Sequence, residues 1–388
     1  MARLKLPRLS FWPAVFVALV SLLVVVLVRR FTMGLGAISN LNDAMPWGLW
    51  IGFDLLCGVA LAAGGFTITA VVTVLHIDRY RAIVRPTVLT AFLGYMIVIF
   101  ALLVDLGRPW NIWHPIIMWN PHSVMFEVGW CVMLYTTVLF LEFLPLTFER
   151  FGWHKLVNIF HAVSPLLVIT GVLLSTLHQS SLGTLYVIVP EKLHPLWYSP
   201  ILPVLFFVSA IGLGLAMTCM ESFLSLRAFG KRLEPELLAG LGKATAMLLL
   251  IYLTIRIEDL IVRGSLPLAW KFDTASWFFL AEIVIGGVVP MVMLFFESIR
   301  WRPLGLFVAQ LLVVLGMIFN RMNVAVTAFQ LGTGAAYTPH WMEFVVSIGV
   351  VAIGFFLFGL AVRYLPVFEE GPLEKATPVD LFAEMTGR

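Results

Sequence analysis

Six ionisable residues interrupt long apolar stretches of this sequence: Asp54, Glu127, Arg256, Glu258, Asp259 and Glu282. A charged group at the centre of a lipid-spanning helix costs ~2.5–3.5 kcal/mol on insertion scales. Carboxylates held in such places can exchange protons with a bound ligand. Arg256 and Asp259 stand i, i+3 and can pair on one helix face, with Glu258 pointing elsewhere. Asp54 and Glu127 have no partner nearby in sequence. Two readings stand. The charges are ion pairs that tie helices together, or they line a polar cavity that binds a proton-exchanging ligand. All six fall in one half of the bilayer under the orientation derived below, which favours the cavity.

The most polar run near these charges is His178-Gln179-Ser180-Ser181-Leu182-Gly183-Thr184-Leu185. It is expected to end an apolar helix and turn into a loop. Its imidazole, amide and hydroxyls would suit a ligand with two carbonyl or hydroxyl groups, and the imidazole can pass a proton near neutral pH. They would equally satisfy the free carbonyls of a helix C-terminus. A second set of carboxylates, Glu142, Glu221 and Glu297, is expected at the opposite helix ends, each with a basic residue downstream (Arg150, Arg227, Arg300). These are capping salt bridges or an inner proton inlet. Salt bridges are the favoured reading.

The elements that must position these groups are helices in lipid. Of 388 residues, 61% are hydrophobic and 12% charged, against ~25% charged in a soluble domain. That excludes a soluble enzyme and a disordered chain. Ten apolar segments can be delimited, at roughly 11–28, 47–75, 86–104, 122–144, 156–177, 201–222, 239–262, 275–297, 303–319 and 343–365. The first resembles a signal peptide, yet Arg29-Arg30 follow it without a small-residue cleavage site, so it reads as a retained helix. One transmembrane domain over 1–365 and a solvated tail over 366–388 are expected. Lys and Arg predominate in the loops that are cytoplasmic if both termini are cytoplasmic. The loops over 29–46, 105–121, 178–200 and 320–342 then lie outside and are the longer ones, as a partner-docking face would need. Trp47, Trp50, Trp110, Trp113, Trp119, Trp197, Trp270, Trp277 and Trp341 near outer helix ends read mainly as interfacial anchors. Gly58, Ala62, Ala63, Gly64 and Gly65 give the second helix a small-residue face for close packing.

The net charge of +3 does not suggest a nucleic-acid partner. Cys57, Cys131 and Cys219 form no CxxC pair, so no iron–sulfur or zinc motif is present. His76 with His161, and His122 with His178, fall at two depths, as a dihaem cytochrome b would require. His122 lies in the helix-start sequence Asn120-Pro121-His122-Ser123 and His178 in the polar run, so both are better read as cap or polar-site residues.

Three runs of residues carry a family likeness. Gly34-Leu35-Gly36, Ser39, Leu41-Asn42, Pro46-Trp47-Gly48-Leu49-Trp50-Ile51 and Phe53-Asp54-Leu55-Leu56 resemble the opening of NrfD/PsrC-type membrane subunits, in particular the HybB-like subunit of periplasmic nickel–iron hydrogenases. The run 178–185 with His194-Pro195-Leu196-Trp197, and Ser123-Val124 with Phe126-Glu127, are similar to the same subunits. The resemblance spans nearly the whole chain. It implies two packed four-helix bundles with flanking helices, and no haem or iron–sulfur cluster in this chain. It implies electron exchange between menaquinone and a periplasmic iron–sulfur subunit docked outside, which serves hydrogenase small and large subunits. Family members also serve molybdenum enzymes and multihaem cytochromes. The family's quinone pocket lies near the outer surface, where the matching residues here are Asp54, Glu127 and His178.

The expected site is therefore His178, Asp54, Gln179, Ser180 and Trp47 around a quinone head. Glu127, Arg256, Glu258, Asp259 and Glu282 would lie on a proton route. The bacterial inner membrane is the expected location. A proton-coupled secondary transporter is the competing class, since buried charges suit it too. Against it, the charges avoid the midplane and no broken-helix pair recurs in matching halves.

Overall fold

A computed structural model describes residues 11–229 and 235–368, without the side chains of 226 and 227. The tail carboxylates beyond Phe368 lie outside the described residues. Among the described residues, ten helices are long and apolar enough to cross a membrane. They are α1 (Phe11–Met33), α2 (Trp50–Thr73), α3 (Asp78–Asp105), α4 (Val124–Arg150), α5 (His154–Val187), α6 (Leu202–Ser225), α7 (Pro235–Val262), α8 (Thr274–Phe295), α9 (Pro303–Thr333) and α10 (Trp341–Tyr364). The end that carries the loops 34–49, 106–123, 188–201, 263–273 and 334–340 is called outer here.

Helices α2 to α5 close one four-helix bundle, each packing on the next and α5 returning to α2. Helices α6 to α9 close a second in the same way. The bundles meet where α2 lies on α6 and α9, and α5 on α6. Helices α1 and α10 pack on each other, and α10 lies against α3 at the flank of the first bundle. In lipid, helices gain little from apolar burial and much from close contact, so small residues mark the crossings. A Cβ on Gly214 of α6 would stand 2.6 Å from the backbone nitrogen of Gly64 of α2, and one on Gly65 2.5 Å from Ala91 of α3. The small-residue face read from the sequence is this double crossing. In the second bundle a Cβ on Gly316 of α9 would come within 2.2 Å of Gly286 of α8.

Helix starts follow the polar punctuation. Ser123 caps α4 by accepting from the Phe126 amide, and Asp273 caps α8 by accepting from the Ser276 amide at 2.8 Å. Those hydrogen bonds hold the Asp273 carboxyl below its ordinary range. At the inner end Arg85 of α3 grips Glu149 of α4 through two contacts of 3.0 Å and reaches the carbonyl of Pro366.

Several helices run further than hydropathy indicates. The run from His178 is not a helix end: α5 continues to Val187, so these residues lie within its outer third. Their hydroxyls fold back onto helix carbonyls, Ser181 onto His178 and Thr184 onto Ser180, which solvates them without breaking the helix. The expected outer loop over 320–342 shrinks to 334–340, because α9 continues through a π-turn at Asn323–Thr327 to Thr333. Arg321 is consequently a buried helix residue. Glu142 does not end its helix either, since α4 reaches Arg150.

Candidate functional site

In the first bundle, Gly171, Ser175 and His178 stand at i, i+4 and i+7 on one face of α5. His178 and Ser175 are fully enclosed. The His178 ring lies 5.8 Å from that of Tyr95 on α3, which meets Tyr135 of α4 edge-on at 4.7 Å. A Cβ at Gly171 would come within 3.8 Å of both the Glu142 carboxylate and the Tyr135 ring. A polar seam thus runs inward between α3, α4 and α5, from His178 past Tyr95, Tyr135 and Ser175 to Glu142. The Tyr95 hydroxyl and both nitrogens of His178 have no hydrogen-bond partner among the described residues, while the Tyr135 hydroxyl and Ser175 Oγ face each other. Each unpaired buried polar atom costs ~1–3 kcal/mol. Two such side chains, with the Tyr135 and Ser175 hydroxyls beside them, mark a spot that suits polar company from a ligand or water. Glu221 of α6 carries a further unpaired carboxylate oxygen, Oε1. Its expected partner Arg227 lies outside the described side chains.

The neighbours of His178 have other engagements. Gln179 donates to the carbonyl of Val59 on α2 at 3.1 Å, fixing α5 against α2. Ser180 is half-buried. Trp47 is half-buried and meets the Tyr186 ring at 5.2 Å. Asp54 is 4% exposed in the π-turn Trp50–Cys57 that opens α2, and accepts from Ser347 of α10 at 2.6 Å. The structure thus ties Gln179 to α2 and Asp54 to α10. The outer end of α10 is anchored beside it. Glu343 accepts from the backbone amides of Asn40 and His340 and from the Tyr337 hydroxyl, whose oxygen in turn accepts from the Leu49 amide at 2.9 Å. Burial pushes the Tyr337 hydroxyl upward, so it remains a donor across the neutral range.

The second bundle handles its polar groups differently. Glu282 of α8 accepts from Trp197 Nε1 at 2.8 Å, Asn320 Nδ2 at 2.6 Å and Asn323 Nδ2 at 2.7 Å. Arg321 of α9 lies 3.6 Å over the Phe206 ring and donates to the Asn320 side chain, the Phe206 carbonyl and Ser209. A small cavity between α7, α8 and α9 touches Tyr252, Glu282, Gly286 and Asn320. Asp259 of α7 is held by Arg263 at 2.8 Å and Ser199 at 2.9 Å, with Arg256 at 3.9 Å. Arg256 donates to the carbonyl of Leu196. The segment 194–199 is therefore strapped to α7 and α8 by these charges, and its His194 amide donates to the Ala328 carbonyl of α9. Burial lowers the His194 imidazole, and its Nδ1 accepts from the Leu196 amide as a neutral ring does.

Some expected groups are not interior. Glu127 and Glu258 are exposed on their helices, because each faces away from the bundle it belongs to. Glu297 is exposed and bridges to Arg300 at 3.3 Å, as the salt-bridge reading requires. No such pair joins Glu142 to Arg150 among the described residues. Sequence reading missed Tyr95, Tyr135 and Ser175, whose only signal is a hydroxyl in an apolar run. It also missed Ser347, and it placed Arg321 in a loop. A bis-histidine haem needs two imidazoles facing each other inside a bundle. Of the eight histidines, His178 is the buried one.

The chain is similar to several known membrane subunits. A protein of Nitratidesulfovibrio vulgaris is 41% identical, covering 90% of this chain and 92% of its own length. The probable Ni/Fe-hydrogenase 2 b-type cytochrome subunit of Escherichia coli is 35% identical, covering 91% of each chain. The integral membrane subunit of a menaquinone reductase from N. vulgaris is 31% identical over 88% of each. The profile of the family described as polysulphide reductase, NrfD, matches residues 37–332. This integral, multi-pass membrane protein therefore belongs to the NrfD family.

Proposed function

We propose that the chain is the haem-free, quinone-reactive subunit of a respiratory complex in the bacterial inner membrane. It passes electrons between a periplasmic iron–sulfur subunit, serving a nickel–iron hydrogenase, and menaquinone. The relatives named for a hydrogenase and a menaquinone reductase support this reading. The observation that carries it is the set of unpaired polar groups around His178. A quinone head has two carbonyl oxygens and takes up two protons with two electrons. It needs hydrogen-bond donors and a proton route, and no redox centre in this chain.

In this reading His178 and Asp54 are the proton partners of the quinone head. Gln179 holds α5 in register, Ser180 helps to orient the head, and Trp47 walls the outer side. Tyr95, Tyr135 and Ser175 carry protons between His178 and Glu142, with Glu221 as a second inner inlet. Protons drawn from the cytoplasmic side along this seam would make quinone reduction move charge across the membrane. Arg256, Asp259 and Glu282 hold the strap over the second bundle, with both termini cytoplasmic and the outer loops forming the docking face.

The test is turnover by the assembled complex. His178→Ala is expected to lower menaquinone-analogue reduction on the order of 10²–10⁴-fold, the usual worth of a positioned acid–base group. The complex should assemble at wild-type yield. Unchanged turnover in this variant would remove His178 from the site.

A further inference from the structure

Helix α10 lies beyond the residues that define the family, which end at 332. It nevertheless supplies the hydrogen-bond partner of Asp54. Ser347 Oγ donates to Asp54 Oδ2 at 2.6 Å, across 293 residues of sequence, and both side chains are buried. The register that brings them together is held by several separate contacts. Trp50 Nε1 donates to the Glu343 carbonyl at 3.2 Å, so the first residue of α2 grips the first turn of α10. Tyr337 links the Leu49 amide to the Glu343 carboxylate, and a Cβ on Gly48 would sit 2.4 Å from that Tyr337 oxygen. His340 and Glu343 close a capping box at the helix start. On the far side of α10, a Cβ on Gly349 would stand 3.1 Å from Leu23, so α1 backs α10 closely. The Pro46–Trp50 segment is thus shaped around the end of α10, and Ser347 falls one turn inward of Glu343 on the same face.

We infer that Ser347 is a positioning residue for Asp54, and that α10 is a working part of the quinone site in this chain. The inference rests on the reading that Asp54 meets the quinone. A hydroxyl that donates to a carboxylate favours its ionised form and fixes which oxygen is free. With Oδ2 engaged by Ser347, Oδ1 is the oxygen left to exchange a proton with a ligand. Other charged or titratable groups near Asp54 are Asp105 of α3, Arg30 of α1, Glu343 of α10 and Cys57 of α2, with Arg321 of α9 beyond Cys57. Arg30 is committed to the carbonyls of Val104 and Leu106, so it gives Asp54 no direct partner. Ser347 is therefore the side chain that donates directly to Asp54 among the described residues.

The experiment measures the pH profile of menadione reduction by the purified complex, with reduced benzyl viologen as electron source. Asp54 must be protonated to donate to the quinone, so turnover falls as pH rises through its titration. In Ser347→Ala the carboxylate loses the donor that favours its charged form, and the falling limb should move up by about one pH unit. KM should stay near wild type, and Ser347→Thr should restore the profile. Asp54→Asn should abolish turnover in parallel. A wild-type profile in Ser347→Ala beside a dead Asp54→Asn overturns the inference and leaves the quinone reading intact. So does a uniform loss of rate and yield without any pH shift, which would make Ser347 a tether only. Full turnover in Asp54→Asn overturns the reading of Asp54 and the inference with it.

Discussion

The two bundles bury polar groups in opposite ways. Around Glu282 three donors fill one carboxylate, and the neighbouring guanidinium of Arg321 has its own acceptors. Around His178 a phenol and an imidazole have no hydrogen-bond partner among the described residues. Fully satisfied buried networks rigidify a core, whereas unsatisfied ones are costly and need a compensating occupant. The formal charges that dominate a sequence reading therefore belong mostly to the scaffold. The neutral hydroxyls and the one buried imidazole mark the place where a ligand is wanted. The second bundle is not perfectly closed, since Nε and Nη1 of Arg256, Gln310 Oε1 and Glu221 Oε1 lack hydrogen-bond partners among the described residues. That arginine still stands 3.9 Å from Asp259 and grips the strap through Leu196.

Substitution can break this contrast. The largest effect on turnover is the loss expected for His178→Ala, with stability preserved. The largest effect on stability is expected for Glu282→Ala. It leaves three buried donors unpaired beside Arg321, and breaking a buried charge network of this kind costs ~3–5 kcal/mol. Thermal unfolding in detergent should show a sharp fall in midpoint, and purified yield should drop. If Glu282→Ala unfolds like wild type while losing turnover, the second bundle is catalytic and the contrast fails.

Tyr135→Phe and Tyr95→Phe sharpen the comparison at a smaller scale. The first removes a hydroxyl that faces Ser175, the second one with no hydrogen-bond partner among the described residues. Stability should change by less than ~1 kcal/mol, while turnover falls about tenfold if the hydroxyl relays protons. Stopped-flow reduction of a quinone analogue, compared with thermal midpoints, separates the two quantities. A tyrosine variant that loses stability and keeps its rate would make the seam a packing feature.

The smallest effect concerns the cap of α8. Asp273 is held below its ordinary value of 3.8 by the Ser276 hydrogen bonds. A carboxyl lowered by folding stabilises the folded state above its unfolded titration range. That contribution is lost as pH falls through the folded value. Asp273→Ala should lower the thermal midpoint slightly at neutral pH, and the gap to wild type should close as pH falls through and below the ordinary carboxylate range. A gap that persists in acid would assign the effect to packing at the α8 start.

Much of the architecture is written locally. The ten spans follow from apolar length alone, because lipid leaves the backbone no partner but its own helix. Ser123 announced a helix start by its residue type, and the Gly58–Gly65 face announced a tight crossing by its small side chains. Helix ends were less legible where polar residues continue a helix. His178–Leu185 and Phe319–Asn323 look like loop sequence, yet their side chains bond to helix carbonyls or to neighbouring helices, so the helices persist.

What the sequence determined by itself is the class of molecule, the number of spans and the presence of buried charge, since each depends on composition within one segment. What only the tertiary structure decided is which buried groups are spoken for. Asp54 finds Ser347 across 293 residues, Glu282 finds Asn323 across 41 and Gln179 finds Val59 across 120. Hydrogen bonding saturates, so a polar group is free for a ligand only when no neighbour from another helix has already claimed it. That depends on helices meeting in three dimensions, and among the described residues none brings the His178 ring a hydrogen-bond partner.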